Sequence, residues 1–154
     1  MKNLIRLILA VMLIVASQQT FAQSKSKDKK EHKHKKSVVK HRIVMQLTSA
    51  DAMVHKGLIK QLNNLKNGWG DTVTIEIVCH GPGVDFLNAE KTGFKNEIYS
   101  LKERGIVFVV CENTLREREI PKEAILPDMS YVKMGIGEIV LKQESGWVYI
   151  KAGN

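Results

Sequence analysis

What the folded part of this chain lacks is net charge. The 154-residue sequence carries a formal charge of +8, yet from His41 onward its lysines and arginines are matched in number by its aspartates and glutamates. The whole excess therefore lies in the first forty residues. A nucleic-acid interface carries its cations on the fold and interleaves them with aromatics, which make up only 6% here, so nucleic acid is not an expected partner. Other absences narrow the choice further. Gly81-Pro82-Gly83 has the spacing of neither a dinucleotide-binding nor a P-loop fingerprint. No internal repeat is present, and no set of metal ligands or clear general bases accompanies the two cysteines, Cys79 and Cys111. No metal and no cofactor are expected. The apolar stretch near the start runs only to Ala16, short and early for a membrane span, which leaves an uncleaved anchor as the lesser reading of it.

What is present divides into three parts. Residues 1–22 read as a secretory signal peptide: Lys2 and Arg6 open it, an apolar stretch follows, and Thr20-Phe21-Ala22 supplies small residues three and one before a cut after Ala22. No cysteine lies near that cut, so a lipoprotein anchor is not expected and the mature chain is placed in the periplasm or outside the cell. Residues 23–40 form a Lys/His-rich linker with too little apolar surface to offset the entropy of ordering, and are expected to be disordered. His32 and His34 could attract a soft divalent metal, but the surrounding ammonium groups repel it. The tail either merely solvates the chain or touches anionic envelope lipid or polymer. Residues 41–154 are one domain with a single core.

Within that domain, periodicity predicts short apolar strands at Ile43–Leu47, Thr72–Cys79, Ile106–Cys111, Ser130–Val132 and Trp147–Lys151. Helical spacing links Val54, Leu58, Leu62 and Leu65, then Phe94, Ile98 and Leu101, then Gly135 to Glu144. Strands this continuous in apolar residues, alternating with helices, indicate a mainly parallel five-stranded sheet in a three-layer α/β/α domain. Leu47, Cys79 and Cys111 then end their strands along one edge, where α/β folds bind ligands at the switch point of strand order.

Cys111 is the foremost candidate. It sits where an apolar strand meets a helix-like start, a junction whose oriented peptide N–H groups favour a thiolate. The same position also suits an inert core thiol. Glu112, Glu117 and Glu119 oppose a thiolate nearby, whereas Arg116 and Arg118 favour it, and spacing does not order their distances. His80 reads either as a base toward Cys111 or as a group hydrogen-bonded within the glycine-rich turn. Gly81 and Gly83 read as a backbone turn exposing amides to an anion such as thiosulfate or a persulfide terminus, with Asn113 and Thr114 lining the same site. His55 is read as a surface or cap-proximal residue, and Trp69 and Trp147 as core or interface aromatics. A Cys79–Cys111 disulfide is out of reach if the first strand separates theirs and becomes possible if theirs are adjacent.

The motifs Ile77-Val78-Cys79-His80-Gly81-Pro82-Gly83, Gly105-Ile106-Val107-Phe108 with Cys111-Glu112-Asn113-Thr114-Leu115, and Gly135-Ile136-Gly137-Glu138-Ile139 through to Lys151 together make the chain resemble the DsrE/DsrF-like family, in its exported branch. The resemblance implies a compact α/β subunit that assembles into homotrimers or homohexamers. It also implies a persulfide-carrying cysteine after the third strand, here Cys111, serving a sulfur-donor or acceptor protein. Cys79 matches no carrier position. The alternative is a non-catalytic, ring-forming binding module in which Cys111 is structural.

Overall fold

The computed structural model describes residues 40–153. The signal peptide expected over 1–22 and the linker expected over 23–40, Lys40 apart, lie outside the described residues. Strand β1 (His41–Leu47) is followed by α1 (Ala52–Trp69), which begins where the Asp51 carboxylate accepts the Met53 N–H at 2.7 Å. Helix α1 stops at Gly70, whose combination of φ 53° and ψ −124° is open to glycine and strained for other residues. Then come β2 (Val73–Cys79), a 3₁₀ segment (Gly81–Leu87), α2 (Lys95–Glu103), β3 (Ile106–Cys111) and the single-turn α3 (Glu112–Glu117). The chain closes with β4 (Ser130–Val132), α4 (Gly135–Glu144) and β5 (Val148–Lys151).

The five strands form one sheet in the order β4-β3-β2-β1-β5, and every pairing within it is parallel. Right-handed crossovers explain the layers. From β1 to β4 the chain steps in one direction, which lays the intervening helices on one face of the sheet. The return from β4 to β5 runs the other way and puts α4 on the opposite face.

Strand alternation then sorts the side chains. Ile43, Met45, Leu47, Ile75, Ile77, Cys79, Phe108 and Val110 join Leu58, Leu62, Ile98 and Leu101 in the main core under α1 and α2. Val44, Val78 and Val109 meet Ile139 of α4 in a much smaller cluster on the other face.

Three sequence readings are narrowed. His55 is cap-proximal and buried, not on the surface: its Nε2 meets the Ser49 carbonyl, two residues before the cap Asp51, at 2.7 Å and its ring packs on Phe86. Of the core and interface readings of Trp69, the core one is excluded, since its side chain is 41% exposed and stacks on His41. The reversal of strand order falls between β1 and β5, two strands away from Cys111.

Candidate functional site

Adjacent parallel strands β2 and β3 are in register with Cys79 opposite Val110, so the next residues, His80 and Cys111, come side by side at the carboxyl edge. Both fall on the α4 face, because Val78 and Val109, two residues earlier on each strand, point there. Helix α4 starts directly above them. A Cβ built on Gly135 would stand 3.1 Å from the His80 Cβ and 3.2 Å from the Cys111 Cβ. Glycine is thus what lets the helix start seat against both side chains. Its amide, one of the first-turn N–H groups that a helix cannot satisfy internally, donates to Cys111 Sγ at 3.2 Å. His80, Cys111 and Gly135, with Asn113, Glu117 and Met134, line an open cleft of about 420 Å³.

His80 is held from its far side. The Gln46 amide nitrogen, on β1, lies 2.7 Å from His80 Nε2, and Tyr149 on β5 donates its hydroxyl hydrogen to Gln46 Oε1. Burial pushes the imidazole below its ordinary pKa, which favours the neutral ring. Neither Gln46 nor Tyr149 was legible as a site residue. Only the β5-β1-β2 strand order, which no spacing discloses, joins them to His80.

The glycine turn does a different job from the one expected. The Gly81 N–H donates to Thr114 Oγ1 at 2.9 Å and the Gly83 N–H to the His80 carbonyl at 3.1 Å, while Pro82 has none. With its amides taken, the turn is not an anion cradle, and neither Gly81 nor Gly83 lines the cleft. Their role is steric. Gly81 adopts φ +53°, and a Cβ on Gly83 would sit 2.1 Å from the Leu47 carbonyl oxygen.

Thr114 and Asn113 do line the cleft, each with a polar group already engaged. Thr114 accepts from Gly81, and the Asn113 Oδ1 accepts from Arg116 at 2.9 Å. Of the five charged residues near Cys111 in sequence, Glu117 alone reaches the cleft lining. Glu112 turns to Lys122, which holds its carboxyl below the ordinary range. Arg118 bonds the Gly81 carbonyl and pairs with Asp85 at 3.0 Å. Burial pushes the Asp85 carboxyl up, but Arg118 and Lys91 outweigh it and leave it below its ordinary range.

The two cysteines end adjacent strands yet belong to different environments. Cys79 is fully buried in the main core, and burial drives its thiol far above the ordinary range. Cys111 points the other way, toward α4 and the cleft.

The chain as a whole has relatives among known proteins. A protein of unknown function from Methanobacterium thermoautotrophicum, MTH1491, is 30% identical and superposes with a TM-score of 0.68 over 72% of this chain and 98% of its own. A conserved protein of unknown function from Bacteroides thetaiotaomicron, BT1422, is 19% identical and shares the fold alone, with a TM-score of 0.53 over 71% of this chain and 93% of its own. No curated protein matches the sequence. The model of the DsrE/DsrF-like family matches residues 41–152, from the first residue of β1 to just past the end of β5, and so takes in both strands that build the cleft. The chain belongs to the DsrE/DsrF-like family.

Proposed function

We propose that this protein is an exported sulfur carrier that takes sulfane sulfur onto Cys111. The observation that carries the reading is the placement of Cys111 Sγ in the cleft, with the Gly135 N–H donating to it and His80 alongside. Amide donors aimed at sulfur stabilise negative charge there, and the thiolate is the attacking species. The step is an exchange: the Cys111 thiolate attacks the outer sulfur of a donor persulfide, R–S–SH. The donor S–S bond breaks, a new one forms as Cys111–S–SH, and R–S⁻ leaves. Repeating the exchange with an acceptor thiolate regenerates Cys111 with no external oxidant or reductant. Membership in a family associated with sulfur relay supports this reading. Export rests on the signal-like pattern of residues 1–22.

Assembly into homotrimers or homohexamers is part of the same proposal. Met134 and Ile136, which line the cleft at the start of α4, and Leu141, farther along that helix, are 58%, 55% and 59% exposed, and a domain without net charge opposes self-association little. Sedimentation at micromolar concentration tests it, and a monomer throughout would overturn it.

A second reading is favoured by one observation: Cys111 is only 5% exposed. In that reading it is a packed residue of a non-catalytic interaction module. Intact-mass spectrometry after treatment with a small-molecule persulfide decides between them. The carrier reading expects one added sulfur on wild type and Cys79→Ser but none on Cys111→Ser, with the mature chain starting at Gln23. No loading of wild type, or unchanged loading of Cys111→Ser, leaves the structural module as the account.

A further inference from the structure

We propose that Tyr149 and Gln46 are positioning residues that fix the tautomer of His80, holding it as a neutral ring whose Nδ1 carries the proton. His80 then serves the cleft as a hydrogen-bond donor and not as a base. The inference follows a row of polar side chains on the α4 face: Tyr149 on β5, Gln46 on β1, His80 directly after β2 and Cys111 at the end of β3.

Its logic is a count of donors and acceptors. The Tyr149 hydroxyl donates to Gln46 Oε1, which holds the acceptor end of that amide toward β5 and away from His80. The remaining end is an NH₂ group, which can only donate, and it lies 2.7 Å from His80 Nε2. A ring nitrogen that receives an N–H cannot carry its own hydrogen, so the neutral ring bears its proton on Nδ1. Among the described residues Nδ1 has no hydrogen-bond partner, while the ring lines the cleft with Cys111. Protonating Nε2 would set N–H against N–H unless the Gln46 amide turned over and released the Tyr149 hydrogen. Burial of the ring acts in the same sense.

The consequence for sulfur rests on the carrier reading. An Nδ1–H held in the cleft that His80 shares with Cys111 would complement the anionic outer sulfur of Cys111–S–S⁻, whereas a ring with bare Nδ1 would offer that cleft a base for the resting thiol. The tautomer itself depends on no sulfur chemistry.

The test is a long-range ¹H–¹⁵N correlation spectrum of the ¹⁵N-labelled mature protein, with the His80 signals assigned by their loss in His80→Gln. Wild type is expected to show a protonated Nδ1 and a bare Nε2. Tyr149→Phe frees the amide to turn and is expected to mix the two tautomers. Gln46→Glu places an acceptor at Nε2 and is expected to move the proton there, raising the alkylation rate of Cys111 by iodoacetamide several-fold as Nδ1 becomes a base. A wild-type ring protonated on Nε2, or variants that leave the tautomer unchanged, overturns the proposal. Failed persulfide loading with the expected tautomer defeats the carrier reading alone.

Discussion

The two faces of the sheet are made by the same strands and could hardly differ more. Under α1 and α2 the alternate positions are almost wholly apolar, and Phe86 and Phe108 pack there with ring centroids 6.1 Å apart. Under α4 the intervening positions carry Gln46, Glu76, His80 and Cys111 around four buried aliphatic residues. The difference teaches where chemistry can be placed. A face covered by several helices excludes polar groups that lack partners, whereas a face covered by one helix leaves room for hydrogen-bonded rows and a cleft at its end. The cysteines follow the same division. Cys79 is sealed into the first face, and Cys111 meets an amide on the second.

The comparison is sharpened most by a truncation in the apolar face. Phe108→Ala removes a ring that is 2% exposed at the centre of the main core, and large aromatic deletions of this kind cost about 3–5 kcal/mol. Denaturant unfolding should show a loss near 4 kcal/mol, estimated as the middle of that range, with the dichroism spectrum retained. A loss below about 1 kcal/mol, the scale of a surface substitution, would mean that this face is not the main source of stability.

The polar face should instead reveal itself through pH. Glu76 is 5% exposed and its Oε2 meets Lys142 Nζ at 2.6 Å, while among the described residues Oε1 has no hydrogen-bond partner. Burial pushes this carboxyl above its ordinary value of 4.5, and the Lys142 ammonium only partly opposes the shift. Burial works against the Lys142 charge too, but its two carboxylates, Glu76 and Glu138, prevail and hold its pKa above the ordinary value. The folded state thus keeps a proton on Glu76 that the unfolded chain releases at about pH 4.5. Glu76 accordingly makes stability fall as pH rises from 4.5 to the folded value, and contributes no slope above it.

Lys142→Met strands the carboxylate and raises its folded pKa further. Its cost at neutral pH is about 3 kcal/mol, the lower end for breaking a buried pair because the lysine is partly exposed. The cost should shrink on acidification toward pH 5, and Glu76→Gln combined with Lys142→Met should recover most of it. An equal loss at both pH values would break the assignment of Glu76 as the buried charge.

How much of this was legible in sequence follows from what kind of information each feature needs. Strand and helix positions are local, so the periodicities around Ile43–Leu47, Ile106–Cys111 and Gly135–Glu144 disclose them. Cys111 and His80 were legible as candidates because both end apolar strands on one edge. Strand order is not local. Without it, the pairing of His80 with Gln46, the amide of Gly135 over the thiol and the engagement of the Gly81 amide by Thr114 have no signature. Gly135-Ile136-Gly137 was visible as part of the family motif, but spacing alone gave it no role. The glycine turn failed as an anion cradle, and the surface and cap-proximal readings of His55 stayed undecided, for the same reason, since each depended on which neighbours the fold supplies.

The smallest effect expected is none at all, and it tests the division between the faces directly. Cys79 and Cys111 end adjacent strands, about 4.8 Å apart across the sheet, so the Cα separation alone would permit a disulfide. Direction forbids it. Cys79 is in register with Val110, one residue before Cys111, and successive residues of a strand point to opposite faces. The two Cβ vectors therefore diverge, with the sheet itself between the sulfurs, and bridging them would require β2 or β3 to turn over. Treating the folded protein with a thiol-specific oxidant such as diamide, then measuring intact mass without reduction, should show no loss of two hydrogens within a single chain. Partial denaturation before oxidation should allow that loss, because the sheet no longer separates the thiols. An intramolecular disulfide formed under native conditions would mean that the strands slip in register, and the contrast between the two faces would fall with it.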